Sequence, residues 1–124
     1  MSARPRVLIA DDYPGMVKAV SRLLALDCEV VGTVGDGGAL LEAAQRLQPD
    51  VIVLDLNLPH VDGLEACRQI KEHNPAVKII VFTAMIDFEV EERSLAVGAS
   101  AFVSKLAPVE DLRSAVQRVC GGGT

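Results

Sequence analysis

The stretches Val7-Leu8-Ile9-Ala10-Asp11-Asp12 and Val51-Ile52-Val53-Leu54-Asp55 decide the fold, because each is an apolar run of strand length that ends in carboxylates. Two further runs follow the same rule: Ile79-Ile80-Val81-Phe82 leads into Thr83, and Ala101-Phe102-Val103 leads to Lys105. Runs that stay apolar without alternating, as at Val51–Leu54 and Ile79–Phe82, are the pattern of parallel strands covered on both faces. Set side by side in one parallel sheet, such strands gather their terminal polar groups at the carboxyl edge, where open α/β folds build their sites. Three carboxylates, a hydroxyl and an ammonium then share one cleft.

Outward from these runs the chain reads as an α/β protein. Strands are expected at Arg6–Ala10, Glu29–Val34, Val51–Leu54, Lys78–Phe82 and Ala101–Val103, alternating with five helical stretches at spacings suited to βαβ units. Pro14 and Pro108 suit a first helical position; Asp36, Asp62 and Asp87 suit N-caps; Gly98 and Gly121 suit helix stops. Asp62 followed by Glu65 reads as a capping box. Met16, Val20, Leu23 and Leu24 fall on one helical face, and Leu40, Leu41, Ala44 and Leu47 on another, which assigns them to the core.

Size and composition narrow the function classes. A chain of 124 residues, half of them apolar, is enough for one domain with a hydrophobic core. No apolar run approaches the roughly 18 to 20 residues that span a bilayer, and Met1–Val7 lacks a signal-peptide hydrophobic region, so a soluble cytoplasmic protein with no membrane contact is expected. The formal net charge of −5 argues against nucleic acid as a direct ligand of this segment. Cys28, Cys67 and Cys120 lie in or beside apolar segments, form no C-x-x-C pair and are expected to act as small hydrophobes, without a disulfide or a zinc site. The boundaries expected are a domain over 1–120 and a flexible terminus or start of a linker over 121–124, where three glycines follow the last helix.

Asp11, Asp12 and Asp55 brought close together repel one another, so the cluster calls for a cation. Oxygen donors alone favour Mg²⁺ or Mn²⁺ over zinc. A metal and a lysine converging on one free carboxylate suit phosphoryl transfer, with Asp55 as the nucleophile that forms an aspartyl phosphate. Thr83 would donate a hydrogen bond to a phosphoryl oxygen, Lys105 would supply a point charge, and the small Ala84 would leave the donor room. Read singly, each residue has a blander account: Asp11-Asp12 as a helix cap, Thr83 as a strand residue, Lys105 as a charge leaving a strand. Their joint register favours the site.

The acidic pair Asp11-Asp12, the segment Asp55-Leu56-Asn57-Leu58-Pro59-His60-Val61-Asp62-Gly63, the pair Thr83-Ala84 and Lys105 resemble, in order and spacing, the receiver domain of two-component response regulators. The likeness covers nearly the whole chain. It implies a (βα)5 doubly wound parallel sheet, flavodoxin-like, with strand order 2-1-3-4-5, phosphorylated on Asp55 by a histidine kinase or phosphotransfer protein. It further implies Mg²⁺ held by Asp12 and Asp55 directly, by Asp11 through water and by the Asn57 backbone carbonyl. Phe102, three residues before the lysine, takes the place of the switch aromatic that follows Thr83 inward, and Met85, two beyond Thr83, that of a residue modulating attack by water.

In this resemblance the surface of the fourth helix, fifth strand and fifth helix changes shape on phosphorylation and selects partners, a homodimer among them. Phe102 stands where many relatives carry tyrosine, so packing alone would bias the switch. Proline comes at 108 rather than directly after Lys105, as in receivers of the LuxR/FixJ (NarL-like) type, which precede a helix-turn-helix DNA-binding module; transcription regulation is the output expected. His60 and His73 show no metal-ligand spacing, and Glu89-Glu91-Glu92-Arg93 reads as a solvated helix face. Two rival readings remain: a haloacid-dehalogenase-like phosphatase, disfavoured because Asn57 replaces the acid/base of Asp-x-Asp, and a pseudo-receiver that never takes up phosphate, disfavoured because every site residue is present.

Overall fold

The computed structural model describes residues 4–84 and 87–121. Strands β1 (Arg6–Ala10), β2 (Glu29–Val34), β3 (Val51–Leu54), β4 (Lys78–Thr83) and β5 (Ala101–Ser104) alternate with helices α1 (Pro14–Leu24), α2 (Gly37–Leu47), α3 (Gly63–His73), α4 (Phe88–Ala96) and α5 (Glu110–Gly121). All strands pair in parallel in the order β2-β1-β3-β4-β5. This is the flavodoxin-like arrangement, and its strand order reverses between β1 and β3.

Successive side chains of a strand point to opposite faces, and here both faces are core. Leu8, Ala10, Ile52, Leu54, Ile79 and Val81 pack with Leu40 of α2 and Ala66, Cys67 and Ile70 of α3. Val7, Ile9, Val51, Val53, Ile80 and Phe82 pack with Val20 and Leu24 of α1 and Leu112, Ala115 and Val116 of α5. β3 is therefore buried at every position, which is why its sequence shows no alternation.

The helix starts follow the side-chain chemistry. Asp36 accepts from the Ala39 N–H, Asp62 from Leu64 and Glu65, and Asp87 from Glu89. Gly98, just past α4, has φ +112, a left-handed conformation that glycine adopts without strain. Four expectations shift. The Glu65 carboxylate does not close a capping box: it pairs with Arg68 and Gln69, whose cationic and amide donors outbid the Asp62 N–H and hold Glu65 down at a pKa of about 2. Pro108 stands two residues ahead of α5, because the tight turn bonds Asp111 N–H to Pro108 O and Leu112 N–H to Val109 O lead in first. Gly121 is the last residue of α5 rather than a stop beyond it, and Cys120 is exposed, whereas Cys28 and Cys67 are buried. Residues 122–124 of the expected terminus lie outside the described residues.

Candidate functional site

The ends of β1 and β3 place two aspartates in equivalent settings. Asp11 and Asp55, each 5% exposed, leave adjacent strands at the carboxyl edge; the Asp11 N–H bonds to Val34 O and the Asp55 N–H to Ala10 O, which fixes both backbones. One oxygen of each carboxylate closes a tight Asx turn: Asp11 Oδ1 accepts from the Tyr13 N–H at 2.9 Å, Asp55 Oδ1 from the Asn57 N–H at 3.0 Å. The other oxygen of each faces Lys105. The lysine Nζ lies 2.6 Å from Asp11 Oδ2 and 2.9 Å from Asp55 Oδ2.

Lys105 arrives from the segment after β5, where its N–H bonds to Thr83 O at 2.9 Å. Its Nζ lies 5.8 Å from the centre of the Phe82 ring, within cation–π range. Burial disfavours its charge, but donation to Asp11 and Asp55 and their negative charge outweigh that, so the ammonium is held above the usual lysine pKa. Thr83, at the end of β4, is fully buried, and Ala84 after it is exposed. Phe102 is half-buried and packs on the core cluster shared by β1, β3, β4, α2 and α3, a setting between the two extremes a switch aromatic would occupy. Met85 lies outside the described residues.

Asp12 is the exposed member of the cluster, and carboxylate oxygens of Asp11, Asp12 and Asp55 lie within 4.8 Å of one another. Three carboxylates and one ammonium leave about two negative charges uncompensated, and every donor is oxygen. A hard divalent cation fits this set in both charge and ligand type.

Two glycines hold the loop that follows Asp55. A Cβ at Gly63 would stand 2.7 Å from Leu56 Cα, and one at Gly37 would collide with the Val61 side chain; the Gly37 N–H also bonds to Pro59 O at 3.0 Å. Sequence reasoning missed these close approaches, the two Asx-turn N–H groups and the Phe82 ring beneath Lys105. Of these, only the Asx turns have a local signal, an aspartate followed two residues on by a free backbone donor.

A family model described as the response regulator receiver domain matches residues 7–117. The chain belongs to that family. Its relatives include a probable transcriptional regulatory protein, TcrX of Mycobacterium tuberculosis, 33% identical over 106 residues, 86% of this chain and 45% of that protein. The receiver chain spans about half the length of the curated relatives it matches. Among solved structures, a two-component response regulator of the LuxR family from Aurantimonas sp. superposes with a TM-score of 0.91 at 28% identity, covering 97% of this chain and 87% of that one. The isolated receiver domain of RcsB from Salmonella enterica serovar Typhimurium, determined with phosphomimetic BeF3⁻, gives 0.90 at 28% identity over 97% and 91%. Among the described residues no helix of this receiver domain is long and apolar enough to cross a membrane.

Proposed function

We propose that this receiver domain is a phosphorylation-dependent switch in which Asp55 accepts a phosphoryl group from a histidine kinase or phosphotransfer protein. The observation that carries the reading is the convergence of Asp11 and Asp55 on a single ammonium with the exposed Asp12 carboxylate alongside them, an all-oxygen cluster that suits a divalent cation. Asp11, Asp12 and Asp55, with the Asn57 carbonyl, would hold Mg²⁺ or Mn²⁺. Bound there, the ion supplies charge neutralisation for the phosphoryl oxygens.

The chain's own groups divide the remaining work. An Asp55 carboxylate oxygen forms the new bond to phosphorus as the bond from phosphorus to the donor's nitrogen breaks. Lys105, already paired with Asp55, exchanges a carboxylate oxygen for a phosphoryl oxygen at little cost in position. The Thr83 hydroxyl donates to another phosphoryl oxygen, the small Ala84 leaves the approach open, and Met85 modulates later attack by water. The product carries roughly 1.5 to 2 extra negative charges at Asp55. Thr83 drawn toward them frees space that Phe102 fills, and the face of α4, β5 and α5 changes shape. Phosphate favours that state by its differential interaction with the two conformations.

The family and its relatives support a larger setting: residues 1–120 form the receiver, the following residues lead toward an output domain of helix-turn-helix type, and the whole protein regulates transcription in the cytoplasm, with dimerisation on activation. Its chemistry is self-phosphorylation and autodephosphorylation. Incubation with Mg²⁺ and a generic phosphomonoester separates this from a hydrolase: no more than one turnover is expected, and sustained turnover overturns the reading.

A further inference from the structure

At the amino-terminal end of the sheet, far along the strands from the acidic cluster, α2 and α3 do not close over β3. A cavity of about 210 Å³ remains between them. Ile52, Ile70 and Val77 form its floor, at 0%, 5% and 2% exposure, and α2 contributes Leu41 and Ala44. The gap opens where the inward face of α2 shrinks: Ala44 stands between Leu40 and Leu47. The space opens to solvent between exposed Gln45, Gln48 and His73, while its floor is buried and apolar. An apolar cavity of roughly 150 Å³ in another protein takes up benzene.

The lining also restricts charge. It contains no aspartate, glutamate, lysine or arginine; its polar groups are amides, among them Gln45, Gln69 and Asn74, together with His73. His73 already uses Nδ1 against the Gln69 carbonyl at 3.0 Å, which leaves Nε2 for a visitor. The nearby Lys71 ammonium is engaged by the Pro75 and Val77 carbonyls, both at 2.8 Å, so carboxylates and phosphates meet no uncommitted ammonium among the described residues here. An uncharged ring fits the floor, and one polar substituent fits the amide-lined mouth.

We propose that this cavity is a binding site for a neutral mono- or bicyclic aromatic molecule carrying one hydrogen-bonding group. The test uses the whole chain, labelled at its methyl groups, and indole as the probe, followed by NMR. Saturable shifts are expected at the methyls of Ile52, Ile70, Val77 and Ala44. Ala44→Leu should fill the space and abolish them; Leu41→Phe, at the half-exposed mouth, is the second filling variant and decides the matter if the first does not fold. Benzoate, the anionic counterpart, should leave the spectrum unchanged. Shifts that rise linearly with indole, that scatter away from these residues or that persist in a folded filling variant overturn the site. Saturable benzoate binding of equal strength overturns the neutral ligand class.

Discussion

Lys105 Nζ donates to Asp55 Oδ2 at 2.9 Å, joining residues fifty positions apart in the chain. The same ammonium reaches Asp11, so one cation ties the end of β1, the end of β3 and the segment after β5 together. The contact adds a side-chain tie to the backbone bonds that already hold Asp11 and Asp55, and the charge left over is what a divalent ion would answer.

Removing the ammonium should be expensive. Deleting one partner of a buried ion pair costs about 3–5 kcal/mol, and with the Lys105 side chain 13% exposed the low end, about 3 kcal/mol, is expected for Lys105→Ala. Urea unfolding at neutral pH without metal should show the loss, and added Mg²⁺ should restore much of it. An unchanged midpoint would mean the pair carries little of the fold's stability.

Asp12 is exposed, and among the described residues its side chain makes no hydrogen bond or ion pair, so Asp12→Asn should leave stability nearly intact. Its effect belongs to the metal. Tyr13, the chain's one tyrosine in the absence of tryptophan, follows directly and donates its N–H to Asp11. Tyrosine emission should respond to Mg²⁺ in the wild type, and the variant should need roughly tenfold more metal or fail to respond. Identical titrations would remove Asp12 from the ligand set.

Gly63→Ala sets a Cβ against the Leu56 backbone, which cannot yield as a flexible side chain would. Overpacking of this kind typically costs about 1–3 kcal/mol, and the shifted loop should also weaken the Mg²⁺ response, because it carries the Asn57 N–H to Asp55. Gly38→Ala is the control: its Cβ would meet Asp36 Oδ1 at 3.4 Å, an ordinary contact, and helix stability should hold or rise. Equal melting temperatures for Gly63→Ala and wild type would contradict the close approach.

Burial pushes the Cys67 thiol up to about 11 and raises Cys28 and, with the help of the Asp50 charge, Cys120 as well, but only Cys120 lies exposed to a reagent, on α5. A thiol reagent at pH 8 should modify one cysteine quickly and the other two only on unfolding. The unfolded chain gives up the Cys67 proton near pH 8.5, about the free-thiol value, whereas the folded chain keeps it to about 11. Between those values the folded state binds more protons, so stability should fall as pH rises through this window. Rapid labelling of three thiols, or a flat stability profile there, would refute the packing.

What the sequence made legible follows from how local each signal is. The five strands, the aspartate caps and the polar residues that follow four of the strands are written in runs of a few residues, and the structure reproduces them, with β4 and β5 each extending one residue further. The Glu65 side chain was harder to read, because its choice between the Asp62 N–H and Arg68 is a competition among neighbours on the same helix. Lys105 was legible as a residue but not as the shared partner of Asp11 and Asp55, nor as a cation over Phe82. Those facts arise from strand order and side-chain direction across 23 residues for Phe82 and 50 or more for the two aspartates. Gly37 and Gly63 belong to the same class: what forbids a side chain there is Val61 and Leu56 folded back from elsewhere in the loop.

The central claim is that Asp55 becomes phosphorylated. Intact-mass measurement after incubation with Mg²⁺ and acetyl phosphate tests it most directly, with peptide mapping to place the adduct. One phosphoryl group on Asp55 is expected, absent without metal and absent in Asp55→Asn. No added mass at saturating metal, or an adduct that survives in Asp55→Asn, would contradict the account.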